Sequence, residues 1–243
     1  VTAPPAPAAT GLLIVAHGDG GADPQDATLR RLATRLAVRL PLPVAWATLK
    51  RPESFAAARE RLGSAAARPV IYPLFMTEGR FVRVRLPRVL EEQGLAAATR
   101  LPVFGHDPGL IDLLAARIAA VAAASGRDDL RVVLIAHGSA SGDAGSRTSS
   151  EHIAAALAAR LGRAPQLGFI EEAPRFDTVI GAGPPEIVVG LFVSAGTHAI
   201  DDVAATVAVR PSVIHHVAAI GEDDGVADLV AAAVTRGGIA NGS

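Results

Sequence analysis

The chain carries one plan twice, and this duplication limits the folds open to it. GLLIVAHGDGG, starting at Gly11, and VVLIAHGSASG, starting at Val132, are apolar runs that each close on a His-Gly pair. Each is followed by apolar residues three or four positions apart, Leu29, Leu32, Leu36 and Leu40 in the first copy and Ile153, Leu157 and Leu161 in the second. That spacing lines one buried face of a helix. VAWATLKRPES then pairs with LGFIEEAPRFD, VIYPLFMTEGRFVRVRLPRVL with EIVVGLFVSAGTHAIDDVAAT, and LPVFGHD with HHVAAIGEDD. His137 follows His17 by 120 residues, Gly196 follows Gly79 by 117, and Gly221 follows Gly105 by 116. One order of signals at a near-constant offset is the mark of a tandem repeat.

Apolar strands alternating with amphipathic helices predict parallel sheets joined by right-handed crossovers. The expected fold class is α/β, with two tandem flavodoxin-like lobes, each a four-stranded parallel sheet covered by helices. Residues 1–10 read as a flexible Pro/Ala arm, 11–126 as the first lobe and 127–238 as the second, dividing near the SGRDD segment. In open parallel sheets ligands sit beyond the carboxyl ends of the strands, and both His-Gly pairs fall there.

Composition narrows the chemistry. There is no cysteine, so a metal site must be built from nitrogen and oxygen ligands. The 23 Lys and Arg balance 24 Asp and Glu, which removes any bulk electrostatic drive toward nucleic acid or an acidic membrane. The start of the chain lacks the pattern of a signal peptide, and its apolar stretches read as too short and too interrupted for a membrane span. The expectation is a cytoplasmic monomer. The GxGxxG and GxxxxGK[ST] nucleotide patterns are absent.

In the second copy His137 closes the first strand, Glu171 closes or just follows the second, and His198 lies in the loop after the third. Three parallel strands share one carboxyl edge, so these side chains are expected to converge. Two imidazoles and a carboxylate suit Fe(II), Co(II), Ni(II) or Zn(II) and leave coordination positions open for chemistry. Glu172, next in sequence, is the rival acidic residue. The first copy is an internal control. It keeps His17, but Lys50 stands in the place of the acidic residue and Phe81 in that of His198, and neither an ammonium nor a phenyl ring ligates a divalent metal. The metal site is therefore expected in the second copy alone.

The motifs VAHGDGG (15–21), PLFMTEGRFV (73–82), IAHGSASG (135–142), FIEEAP (169–174) and LFVSAGTHAIDDV (191–203), in this order and spacing, resemble the class II tetrapyrrole chelatases, in particular the sirohydrochlorin chelatases. The resemblance spans residues 11–235. It implies two lobes around a cleft in which a divalent metal, Co2+, Fe2+ or Ni2+, is inserted into sirohydrochlorin or a related tetrapyrrole without ATP, as a step toward cobalamin or sirohaem. The metal is a substrate, and no permanent cofactor is implied. His137 and His198 match the family's histidines and Glu171 its acidic residue, as metal ligands and catalytic groups. The substrate is a polycarboxylate and arginine forks pair well with carboxylates, so Arg80, Arg83 and Arg85, with His17 on the cleft wall, are expected to bind it. A non-catalytic carrier of metal or tetrapyrrole would share the same fold and ligands. A phosphohistidine enzyme is disfavoured by the alanines before both histidines, and a non-haem iron oxygenase by the fold.

Overall fold

The structure, a computed structural model, describes residues 11–18, 24–140, 142, 144–181, 183–195 and 198–237; the Pro/Ala arm lies outside these, as do the side chains of 24–26 and 198–200. In the first half β1 (Leu12–Ala16) lies between β2 (Val44–Thr48) and β3 (Val70–Pro73), all parallel. In the second half β4 (Arg131–Ala136) lies between β5 (Gln166–Phe169) and β6 (Glu186–Gly190), with β7 (Val213–Val217) beyond β6. The helices are α1 (Pro24–Arg39), α2 (Ser54–Leu62), α3 (Leu86–Glu92), α4 (Pro108–Ser125), α5 (Gly145–Leu161), α6 (Phe176–Val179), α7 (His198–Ala208) and α8 (Val226–Arg236).

The parallel α/β architecture matches the sequence expectation, but the first sheet has three strands where four were expected. The LPVFGHD segment meets β3 only through the Ile71–Arg100 bridge, where Ile71 N–H donates to Thr99 O at 2.8 Å and Leu101 N–H donates to Ile71 O at 2.9 Å. The next rung would need the N–H of residue 73, which is proline and has none. The chain instead turns through a short 3-10 helix, Phe104–His106. In the second sheet the ladder continues to Val189 and Val217, both with free amides, and a fourth strand forms.

Each central strand is apolar on both faces because both faces are covered. In β1, Leu12, Ile14 and Ala16 meet Leu29, Leu32 and Leu36 of α1, while Leu13 and Val15 face Phe55, Ala58 and Leu62 of α2 on the other side. In β4, Leu134 and Ala136 pack toward Ile153 and Leu157 of α5, and Val133 and Ile135 toward Phe176 and Val188. Burying each large side chain contributes roughly 1.5–3 kcal/mol.

One apolar core runs between the two halves, joining the inner faces of both sheets through α1, α4, α5 and α8. The last helix of each half crosses to the other: α4 packs on α5 and α8, and α8 packs on α1. The crossings are locked by matched ion pairs. Arg117 of α4 binds Asp223 at 2.6 Å, and Arg236 of α8 binds Asp107 at 2.7 Å. Each of these buried carboxylates also accepts a backbone N–H two residues on, from Gly225 and Gly109, both at 2.9 Å. Contrary to the sequence reading, α4 is by length and composition apolar enough to cross a membrane. Here Leu110, Leu114 and Ile118 sit in the shared core, and Asp112 and Arg117 are paired with Arg160 and Asp223.

Candidate active site

His17 and His137 leave the carboxyl ends of the two central strands and face one cleft between the halves. The glycine after each makes the turn possible. Gly18 and Gly138 have φ of +85° and +72°, where other residues are strained, and a Cβ on either would lie within 2.8 Å of Thr48 or 2.7 Å of Glu172. The two loops are then stitched alike. Lys50 N–H donates to His17 O, and Glu171 N–H donates to His137 O, both at 2.9 Å. This backbone match identifies Glu171, rather than Glu172, as the counterpart of Lys50.

The neighbouring carboxylates are separated by their partners. Glu171 lines the cleft beside His137 and accepts the N–H of Ala140 at 3.2 Å. Glu172 turns away to accept two hydrogen bonds from Arg147, at 2.9 and 3.1 Å. An acceptor engaged by a guanidinium is a poor metal ligand.

The cleft encloses about 470 Å³. Its first-half wall carries His17, Lys50 and Phe81, its second-half wall His137, Glu171 and Ser194, and Phe75, Leu191 and Phe192 give it an apolar lining. Phe81, the first-copy counterpart of His198, packs edge-on against His17 with ring centroids 4.2 Å apart; Phe192 meets His137 in the same manner at 5.2 Å. Both imidazoles have pKa values lowered from the ordinary histidine range, and for both the main cause is desolvation. His137 touches solvent through the cleft mouth but is surrounded by protein, so it is still desolvated. The secondary causes differ in sign. Lys50 and Arg85 lower His17 further, whereas Glu171 pulls His137 back up. Both rings are held toward the neutral state in which imidazole accepts a metal or a proton.

The structure brings His17, His137 and Glu171 to one cleft. His198 is the first residue of α7, at the same edge of the second sheet, and its side chain lies outside the described residues. Among the described residues no three metal-ligating side chains cluster closely enough to hold an ion. The arginines divide. Arg85 donates to Leu49 O at 2.9 Å, stacks over Phe81 and is the member whose charge reaches His17. None of the three lines the central cleft itself: Arg80 and Arg83 line one side groove, and Arg80 and Arg85 another. Sequence reasoning passed over Ser194, which is 4% exposed and whose hydroxyl has no hydrogen-bond partner among the described residues. Its signal was present in the repeat, because Thr77, another hydroxyl residue of the cleft lining, occupies the matching place in the first copy.

Two parallel sheets whose carboxyl edges face one another across a cleft, with an imidazole on each wall, define a two-lobed α/β protein of the chelatase kind. A model of the CbiX family matches residues 11–121 and again 131–236, and the chain belongs to that family. Among solved structures it is similar to a CbiX described as the terminal enzyme for biosynthesis of siroheme in denitrifying bacteria, with 34% identity over 93% of this chain and 98% of that one, and a TM-score of 0.78. SirB from Bacillus subtilis with Fe3+ shares the fold at 18% identity, over 96% of each chain, with a TM-score of 0.70. A Deinococcus radiodurans protein, DR2241, matches over 94% of this chain and 55% of its own length, at 20% identity and a TM-score of 0.64. No curated protein sequence matches the chain significantly.

Proposed function

We propose that this chain is a sirohydrochlorin metal chelatase that inserts a divalent ion, Co2+ or Fe2+, into the tetrapyrrole without ATP, within cobalamin or sirohaem biosynthesis. The observation that carries the reading is the pairing of His137 with Glu171 on one wall of a cleft whose opposite wall has the same backbone but a lysine. Membership of the CbiX family supports it. So does a siroheme-forming relative that is similar over nearly all of both chains. In this reading the two lobes, 11–126 and 127–238, have separate tasks.

The reaction removes two pyrrole N–H protons as the metal replaces them, so the protein must present the ion and accept protons. His137, His198 and Glu171 hold the incoming ion on the second-half wall; the neutral imidazoles bind it through nitrogen and the carboxylate lowers the cost of its charge. The repeat supplies the support for His198. Its first-copy counterpart, Phe81, reaches the imidazole of His17 from the equivalent place. Once the ion passes to the ring, a freed imidazole takes one pyrrole proton and the other passes to solvent. His17 faces the macrocycle from the first-half wall, and Arg80, Arg83 and Arg85, in the grooves beside that wall, receive its carboxylates.

The test is to mix catalytic amounts of protein with metal-free sirohydrochlorin and excess Co(II) or Fe(II) and follow absorbance. A chelatase converts many equivalents per protein. Conversion that stops near one equivalent identifies a carrier and overturns the proposal.

A further inference from the structure

The duplication extends to the flanks of the cleft. On one flank Thr28 of α1 donates to Glu222 at 2.9 Å, and Glu222 also accepts the N–H of Ala195 at 3.3 Å. Arg31 and Arg35 reach across to Glu222 and Asp224, leaving a cavity of about 50 Å³. On the other flank the matching contact is between Ser149 of α5 and His106, 3.2 Å apart. There the position of Arg31 is taken by His152, that of Arg35 by Ala156, and that of Ala195 by Glu78. No arginine crosses from α5 to close the space, and a groove of about 730 Å³ remains, walled by the turn at Arg80 and Arg83, by His106, and by Thr148 and His152 of α5. It meets the central cleft at Gly79, which lines both.

Two guanidinium groups, two imidazoles and an exposed hydroxyl give this groove an anion-binding surface. Among the described residues that line it, the one carboxylate, Glu78, lies 4.0 Å from both Arg83 and the His106 ring. A divalent cation fits poorly beside two arginines, and a carboxylate fits well. We infer that this lateral groove receives a carboxylate side arm of the macrocycle seated in the central cleft, with Arg80, Arg83, His106, Thr148 and His152 as its binding residues. The inference rests on the chelatase reading and adds an orientation. The ring is held with one carboxylated edge toward the Arg80 turn, while the opposite flank, closed by Arg31 and Arg35, admits nothing.

The test is equilibrium binding of metal-free sirohydrochlorin, followed by fluorescence quenching, to the full chain and to Thr148→Glu and His152→Gln. Both positions are exposed on α5, so folding should be preserved, and an unchanged Tm checks it. Thr148→Glu sets a carboxylate against a carboxylate and should weaken binding about tenfold; His152→Gln should weaken it about two- to threefold. Affinity for Co(II) alone should stay the same in His152→Gln. If the wild-type chain binds no macrocycle, the chelatase reading falls and the groove with it. If it binds and both variants bind as tightly, the groove assignment alone is wrong. Loss of Co(II) binding with unchanged macrocycle affinity would make the groove a metal path and likewise overturn it.

Discussion

In the first half of the molecule the amide of Lys50 holds the His17 carbonyl and the ring of Phe81 covers the imidazole; in the second the amide of Glu171 holds the His137 carbonyl at the same 2.9 Å. The backbone is repeated and the charge is reversed. Strand ends, positive-φ glycines and loop hydrogen bonds are thus scaffold that either wall can use, while the side chains placed on it set the charge that each wall presents. Asymmetry between the walls carries the functional content, and it can be attacked one residue at a time.

The largest effect should come from the wall assigned to the metal. Replacing His137 and His198 together by Ala should cut metal insertion by about a hundredfold or more, the scale of losing ligands and a proton acceptor together. His17→Ala should cost less than about a tenth of that effect, because in the proposed arrangement His17 faces the ring from the other wall. Initial rates at saturating metal compare the two; equal losses would erase the distinction between walls.

The reverse experiment rebuilds the lost side. Lys50→Glu with Phe81→His restores both changed residue types on a backbone that already matches. Isothermal titration with Co(II) should then count two ions per chain in place of one. A folded variant that still binds a single ion would show that these two positions do not account for the asymmetry.

Charge on the first-half wall is a smaller lever. Arg80→Glu with Arg83→Glu should raise KM for the macrocycle by about tenfold and change kcat by less than about twofold, the signature of lost ground-state binding. Arg85 belongs in a separate variant, because its bond to the Leu49 carbonyl gives it a structural share. An unchanged KM would move the macrocycle off this wall.

Smaller again is the division of labour between adjacent carboxylates. Glu172→Gln removes the nearer of two charge partners of Arg147, the other being Glu151, and should lower unfolding free energy by about 1 kcal/mol while sparing metal affinity, since the pair is partly solvated. Glu171→Gln should weaken metal binding at nearly constant stability. Denaturant titration alongside metal titration separates the two, and interchanged results would reassign the acidic ligand.

Much of this architecture is legible in the sequence alone. The repeat announced two parallel half-structures because central strands buried on both faces must be uniformly apolar, and GLLIVA and VVLIA are. The placing of His137 and Glu171 at one cleft followed from strands of the second sheet sharing a carboxyl edge, whereas His17 reaches that cleft from the other sheet. What could not be read depends on hydrogen-bond partners. A strand signal in LPVFGHD says nothing of Pro73, the residue across the ladder that stops the pairing. The pattern FIEEAP gives two adjacent glutamates and no means to choose; the amide that bonds His137 and the guanidinium of Arg147 make the choice. The reciprocal pairs Arg117–Asp223 and Arg236–Asp107 join residues more than a hundred positions apart, and nothing local marks them. The side groove depended on the same kind of information: His106 and His152 stand 46 residues apart, and only their shared cavity relates them.

The smallest effect is also the most direct reading of the reversed charge. Burial lowers both cleft imidazoles, but Lys50 adds to the lowering of His17 while Glu171 opposes it at His137. In metal-free protein Lys50→Ala should therefore raise the His17 pKa, and Glu171→Gln should lower that of His137 still further. The shifts run in opposite directions from changes at equivalent places, and histidine ring resonances followed by NMR over pH would show them. A linked stability change carries the same sign argument. A histidine whose folded pKa lies below its unfolded value of about 6.5 lets the unfolded chain bind the proton first. As pH falls through 6.5 toward the depressed folded values, His17, His137 and the similarly lowered His216 each reduce stability, and above that window they contribute no slope. Lys50→Ala should flatten the slope and Glu171→Gln should steepen it; slopes that move together would mean that the two walls do not impose opposite fields on their histidines.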